Sequence, residues 1–364
     1  MLSEITPIFL KLSSGENLTT EESMKAFNIV GDEDKEGYFF TALTMGIMAK
    51  GPTVDELQGF CLDRKDRVGT LKTNIRQSNI IDLAGGGGDK IKTMNVSTAA
   101  CFVLAAGGVF VAKQSAKAFT GFTGSSDILE ALGIKIPTDK VDKEKIAKCL
   151  KSLGIIAYNY AALAPERFIN FLHWRQKVVE IGLKYYIPWH IASFVYSAVP
   201  MENRIYGLAN PKYMILLAKL LHRLGYKKIM VVHGVDGLDE ISIIGKTKVV
   251  EVQKNNFKEY EITSKDLGIK TASIDDITNT SKEENISDFV RVLLGKDRGS
   301  KHDLVAANAG AGFYLVGKTK TLREGVEFAS NTMKSGKAFK KLEEFVKFNR
   351  GSQQLKNWID KVIH

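Results

Sequence analysis

The stretch Asp82–Ala100, DLAGGGGDKIKTMNVSTAA, decides the fold of this chain. The apolar run NIIDLA, which begins at Asn79, predicts a buried β-strand, and the alanine-rich segment from Asn95 to Gly107 predicts a helix. Four glycines, Gly85–Gly88, stand between them and let backbone amides approach a ligand, because no Cβ intervenes. This order predicts an α/β unit whose helix N-terminus favours an anion.

Polar side chains at the start of this helix add hydrogen-bond donors. They are the hydroxyl groups of Ser97 and Thr98 and the amide of Asn95. Neither familiar phosphate fingerprint fits, since G-x-G-x-x-G requires glycine at Lys90 and the P-loop requires Lys-Ser/Thr after a spaced glycine. A capped strand-to-helix turn that binds no ligand is the alternative interpretation.

A second glycine-bearing turn follows the next predicted strand, GVFVAK, which ends at Lys113. Thr123 and Ser125 stand at the start of the helix SSDILEALG that comes after it. If the two strands are parallel neighbours, Lys113 and both turns meet at one edge of the sheet and form a ligand crevice.

An acidic pair follows a further strand, KKIMVVHG, in the stretch HGVDGLDEIS. Asp239 and Glu240 are adjacent carboxylates, which suit Mg²⁺ bound together with polyphosphate oxygens. A solvated acidic turn explains them equally well. His233, at the end of the strand, is typical of a packed structural histidine.

The organisation of the chain predicts an α/β fold in which a helical N-terminal region precedes a mostly parallel sheet. Residues 1–72 contain helix signals only, including the capping pairs Thr19/Glu22 and Thr53/Glu56. We expect a helical insertion at 165–200 to complete this domain, and residues 75–164 and 201–364 to form the α/β domain.

Composition narrows the class of protein. The 364 residues are 44% hydrophobic and 25% charged, as in a globular protein, with no apolar run of membrane-spanning length. The acidic residues near the N-terminus and three widely spaced cysteines favour a cytoplasmic protein with reduced thiols. The net charge of +10 favours anionic partners, nucleic acid among them, although lysines alternating with glutamates usually form a solvated helix face.

Several stretches of this sequence resemble the anthranilate phosphoribosyltransferase family and the superfamily it shares with pyrimidine nucleoside phosphorylases. They are MAKGPTVDELQGF, DLAGGGGDKIKTMNVSTAA, HGVDGLDEIS and DLVAANAGAGFYLVGKTKTLREGVEFA, and the resemblance covers nearly the whole chain. It implies transfer of ribose phosphate from phosphoribosyl pyrophosphate (PRPP), with Mg²⁺, to a nitrogenous acceptor. By family default the acceptor is anthranilate, in tryptophan biosynthesis. The resemblance also implies a small all-helical domain beside a large α/β domain. The helical domain commonly forms a homodimer interface in this family, and YFFTALTMGIMAKG has the apolar excess for one, although ordinary core packing explains that stretch equally well.

The resemblance also implies the site residues. The PRPP-binding positions would be Gly85, Gly87, Gly88, Asp89, Asn95, Ser97, Thr98, Lys113, Thr123 and Ser125. Asp239 and Glu240 would hold magnesium. No covalent nucleophile is required, because such catalysis consists mostly of positioning and charge stabilisation.

The chain departs from the family pattern on the acceptor side. The pattern Lys-His-Gly-Asn-Arg reads KQSAK here, and Gly86 replaces a threonine. The acceptor positions correspond to Ala116, Ala164 and Val178, with Arg175 close enough to substitute for a missing arginine. Fewer cationic and amide partners for a carboxylate predict an altered acceptor pocket.

Two alternatives from other functional classes stay open. A nucleoside phosphorylase would need inorganic phosphate and a nucleoside, and FTGFTGSSDILEALG is only faintly similar to its threonine-rich turn. A non-enzymatic paralogue would bind nucleic acid through its basic surface, with strong salt dependence.

Overall fold

A seven-stranded mixed sheet carries the fold in the order β3-β2-β1-β4-β5-β6-β7. The computed structural model describes all residues except 1, 90, 119–122, 137–142, 165–169, 172, 175–191, 193 and 364. The strands are β1 Ile80–Gly85, β2 Phe110–Gln114, β3 Ile155–Tyr158, β4 Asn203–Gly207, β5 Lys228–Gly234, β6 Thr247–Gln253 and β7 Asn256–Ile262. The pairs from β3 to β5 are parallel, whereas β6 and β7 add antiparallel. The predicted fold class, with a mostly parallel sheet, is confirmed.

Four helices precede the sheet: α1 Thr6–Ser13, α2 Thr20–Glu33, α3 Tyr38–Lys50 and α4 Val54–Val68. Both predicted capping pairs form capping boxes. Thr19 accepts a hydrogen bond from the amide of Glu22 at the start of α2, and Thr53 does the same for Glu56 at the start of α4. These caps satisfy amides that have no partner inside the helix.

The remaining helices alternate with the strands or follow them. They are α5 Val96–Ala106, α6 Ser125–Ala131, α7 Lys143–Leu153, α8 Tyr160–Leu163, α9 Met214–Arg223, α10 Lys282–Leu293, α11 Ser300–Leu315, α12 Leu322–Lys334, α13 Lys337–Phe348 and α14 Ser352–Ile363. Helix α5 is buried along most of its length, between the sheet and the C-terminal helices. Its N-terminus therefore has a fixed place beside the ends of β1 and β2.

Part of the predicted helical insertion packs on the N-terminal helices. Phe171 and Trp174 lie against Phe40 of α3, with ring centroids 5.8 and 4.9 Å away. Asn170 donates to the carbonyl oxygen of Gly31 at 3.2 Å. These contacts agree with an insertion that completes a helical domain, although the exact domain boundaries stay a prediction.

The hairpin β6–β7 was not predicted. Its two-residue turn is Lys254–Asn255, both in the left-handed region with φ of 50° and 62°, and β7 is charged and largely exposed. Among the described residues, no helix has the length and apolar character needed to cross a membrane. All three cysteines are buried and none forms a disulfide, which agrees with the prediction of reduced thiols.

Candidate active site

A cavity of 190 Å³ opens where β1, β2 and β5 end. Nine of the ten predicted PRPP-binding residues line it, namely Gly85, Gly87, Asp89, Asn95, Ser97, Thr98, Lys113, Thr123 and Ser125. Gly88 belongs to the same loop but does not line the cavity. The predicted magnesium ligands Asp239 and Glu240 line it as well, so one crevice unites three distant stretches of sequence.

The predicted acceptor residues divide differently. Ala116 lines the cavity, whereas Ala164 is buried, 4% exposed, and does not. Arg175 and Val178 lie outside the described residues. The acceptor assignments therefore stay predictions.

The loop Gly85–Gly88 is fitted closely around Asp239. Oδ2 of this aspartate accepts a hydrogen bond of 2.7 Å from the amide of Gly87, whose φ of 75° favours glycine. A Cβ at Gly85 would lie 2.3 Å from the same oxygen. A Cβ at Gly207, at the end of β4, would lie 1.5 Å from the Asp239 carbonyl oxygen. The lack of side chains at these positions allows the carboxylate to reach the loop.

Lys113 brings a buried positive charge to the cavity. It is 3% exposed, its Nζ donates to the carbonyl oxygen of Leu83 at 2.8 Å, and it lies 3.5 Å from Ser97 Oγ. Its position follows from the parallel pairing of β1 and β2. Thr98 Oγ1 is buried and has no hydrogen-bond partner among the described residues.

A buried polar chain joins the second turn to the start of α5. Thr123 Oγ1 donates to Asn95 Oδ1 at 2.6 Å and accepts from Asn285 Nδ2 at 2.7 Å. Asn285 Oδ1 in turn accepts from the amide of Asn95 at 3.1 Å. These hydrogen bonds hold Asn95 and Thr123 together in the cavity wall.

Ser125 completes the second turn. Its Oγ accepts a 3.0 Å hydrogen bond from the amide of Ala116, which joins helix α6 to the segment after β2. A Cβ at Gly124 would lie 2.4 Å from the amide nitrogen of Ala118, so the two segments pack backbone to backbone.

Three carboxylates, Asp89, Asp239 and Glu240, form an acidic cluster on the cavity wall. Burial and then the charge of Asp239 raise the pKa of Asp89 to about 7. Burial, followed by the charges of Asp239 and Asp89, raises the pKa of Glu240 well above its usual value. Burial also raises the pKa of Asp239, against the opposing effect of the Gly87 amide. A cation would relieve this repulsion.

The carboxylate oxygens present fit a magnesium ion that takes part of its coordination shell from the protein and the rest from a bound substrate. Glu240 Oε1 accepts from the amide of Ser97 at 3.2 Å, while its buried Oε2 has no partner in the described part of the chain. Within that part, no three His, Cys, Asp or Glu side chains are arranged to hold a metal alone. Mg²⁺ commonly takes one or two carboxylates and completes its shell with water and phosphate oxygens.

Sequence reasoning missed several lining residues, among them Asn285 and Phe194. Asn285 is 2% exposed within α10, and a polar residue on the buried face of an amphipathic helix is the pattern that could have revealed it. No sequence pattern marked Phe194. The interpretation of His233 as structural agrees with its burial and the 2.8 Å distance from its Nδ1 to the Leu208 carbonyl oxygen.

Comparison with known proteins decides the family. The family profile "Glycosyl transferase family, a/b domain" matches residues 77–339. The anthranilate phosphoribosyltransferase of Acetivibrio thermocellus is 34% identical over 342 residues, which cover 93% of this chain and 94% of that protein. This chain belongs to the anthranilate phosphoribosyltransferase family. The resemblance found in the sequence is thereby confirmed.

Other members of the anthranilate phosphoribosyltransferase family agree. The Petrotoga mobilis protein of that name is 33% identical, with 93% of this chain and 95% of that protein covered. The crystal structure of the Thermus thermophilus protein has a TM-score of 0.83 and 30% identity, covering 94% of this chain and 99% of the other. The Saccharomyces cerevisiae enzyme in complex with PRPP and Mg shares the fold, with a TM-score of 0.79 at 20% identity, covering 96% and 98%.

Proposed function

We propose that this chain transfers the phosphoribosyl group of PRPP to the amino group of anthranilate, with Mg²⁺, in tryptophan biosynthesis. The observation that carries the proposal is the single cavity in which the glycine loop, Lys113 and the acidic cluster meet. The names of the relatives support the reaction, and the yeast complex with PRPP and Mg supports the ligands.

The residues of the cavity have distinct roles in this reaction. The loop Gly85–Gly88 has no side chains and so leaves room for phosphoryl oxygens, the N-terminus of α5 attracts them, and Lys113 supplies positive charge. Asp239 and Glu240 would hold Mg²⁺, which would supply positive charge against the diphosphate leaving group. The Asn95–Thr123–Asn285 chain fixes the opposite wall, so that the ribose is presented to the amine in one orientation.

The proposal includes a cytoplasmic homodimer. Free buried cysteines are typical of a reducing compartment. Helix α3 carries an exposed stripe at helical spacing, Tyr38, Ala42, Met45 and Ala49. Helix α1, which packs on α3, exposes Leu10 at 63%. Such a stripe suits a second copy of the chain, and sedimentation of the wild type against Met45→Glu tests it.

The experiment that tests the function is an assay of purified protein with Mg-PRPP and anthranilate. We expect consumption of anthranilate, followed by its fluorescence, together with pyrophosphate release and a rise in Tm with Mg-PRPP. Absence of both turnover and a Tm shift at millimolar PRPP would refute the proposal.

The two alternatives have their own readouts. Base release that depends on inorganic phosphate would identify a nucleoside phosphorylase. Salt-sensitive binding to DNA or RNA without turnover would identify a nucleic-acid-binding paralogue. The names of the relatives favour the transferase over both.

A further inference from the structure

The segment 194–199, which leads into β4, is held from several sides by buried polar groups. Tyr226 OH donates to the carbonyl oxygen of Val195 at 2.8 Å, and Tyr158 OH lies 2.8 Å from Ser197 Oγ. The amide of Leu71 donates to the carbonyl oxygen of Ala198 at 2.8 Å. These bonds fix a backbone that has neither helix nor strand bonds of its own.

The first residue of this segment is held by Arg204. The guanidinium group donates to the carbonyl oxygen of Phe194 and lies 3.0 Å from Asp82 Oδ2, with both charged side chains fully buried. Asp82 and Arg204 are paired across β1 and β4 in the sheet. A planar fork that serves two partners is a property of arginine that lysine lacks.

Phe194 is the one aromatic side chain among the described residues that line the cavity. It is partly exposed, and the neighbouring walls contribute small or polar groups such as Ala116, Ala118 and Gln114. An exposed ring in such a wall offers a face on which a planar substrate can pack.

We propose that Phe194 selects an aromatic amine as acceptor by packing against its ring, and that Arg204 is the positioning residue that holds Phe194 in place. This inference rests on the proposed phosphoribosyl transfer, and it identifies the residue that selects the acceptor. Arg204 connects Phe194 to β1, the strand that ends in the glycine loop. The residues that contact the acceptor and those that contact PRPP are therefore held in a fixed position relative to each other.

The test is a comparison of KM values for anthranilate and for PRPP in four variants. Phe194→Ala removes the ring, and Phe194→Leu keeps apolar volume without an aromatic face. Arg204→Lys keeps a charge for Asp82 but loses the fork that reaches Phe194. Ile229→Val, in the buried part of β5, is the control for a general loss of stability.

We expect Phe194→Ala and Arg204→Lys to raise the KM for anthranilate about tenfold or more and to change the KM for PRPP less than about twofold. The KM for anthranilate of Phe194→Leu should lie between the wild-type value and the values of these two variants. Ile229→Val should leave both KM values unchanged. An unchanged KM for anthranilate in Phe194→Ala, or equal changes in both constants, would overturn the inference. An inactive wild type would instead refute the proposed function.

Discussion

Replacement of Gly85 by alanine tests whether close packing around Asp239 forms the site. The added Cβ would lie 2.3 Å from Asp239 Oδ2, more than about 1 Å inside ordinary van der Waals contact. The carboxylate must therefore move away by at least that distance. Its 2.7 Å hydrogen bond from the Gly87 amide then lengthens beyond hydrogen-bond range.

The size of the effect follows from the bond that is lost. A hydrogen bond to a charged group contributes about 1.5–3 kcal/mol, and each 1.4 kcal/mol is about tenfold in affinity. We expect Gly85→Ala to weaken binding of Mg-PRPP by about 10- to 100-fold, because the Asp239 carboxylate is displaced from its place in the acidic cluster.

Isothermal titration of Mg-PRPP into each variant measures this loss, and the adjacent Gly86→Ala is the matched control. A Cβ at Gly86 would come no closer than 3.3 Å to a neighbouring atom, and neither glycine has a left-handed φ. Gly86→Ala should bind within about threefold of the wild type. Equal affinities in the two variants would refute the reasoning.

Three further predictions follow from buried groups. Lys113→Met should abolish measurable PRPP binding in calorimetry, because the cavity loses its buried cation, while the exposed Lys148→Met serves as control. Asn285→Ala should destabilise the protein by about 1–3 kcal/mol in chemical denaturation, since buried partners lose their hydrogen bonds. Burial raises the pKa of Cys61 to about 12 and that of Cys101 to about 11, so both should react with a thiol reagent far faster in urea than in the native state.

The raised pKa values of the buried thiols also make the free energy of unfolding depend on pH. Because the native thiols stay protonated where unfolded thiols ionise, the free energy of unfolding should fall as the pH rises above about 8.5. Rapid labelling of native Cys101 near neutral pH would contradict the structure. For Lys113→Met and Asn285→Ala, wild-type affinity and wild-type stability, respectively, would be the contradicting results.

Much of the cavity wall could be predicted from the sequence, because the glycine-bearing turns, Lys113 and the acidic pair each lie at the end of a predicted strand or soon after it. The glycine loop follows β1 and leads to the start of α5, Lys113 lies near the end of β2, and parallel pairing brings the ends of these strands together. Lys113 and Ser97 were expected at one edge and lie 3.5 Å apart.

The parts that were missed depend on contacts between distant residues. Asn285 gains its role only when α10 packs beside the second turn. The hairpin β6–β7 lacks glycine at its turn and presents Lys258, Glu259 and Glu261 to solvent, so it has few strand signals. Arg204 is the second residue of β4, and a charged residue there argues against a buried strand until Asp82 is placed beside it.

The contact between Gly207 and the Asp239 carbonyl oxygen also bears on how this enzyme family can diverge. Even one methyl group at position 207 would push apart the loops after β4 and β5, although Gly207 itself contributes no side chain to the chemistry. A descendant gene could keep every catalytic side chain and still lose transferase activity through this one codon. A side chain at position 207 would therefore mark a copy whose site has been lost while its architecture is kept.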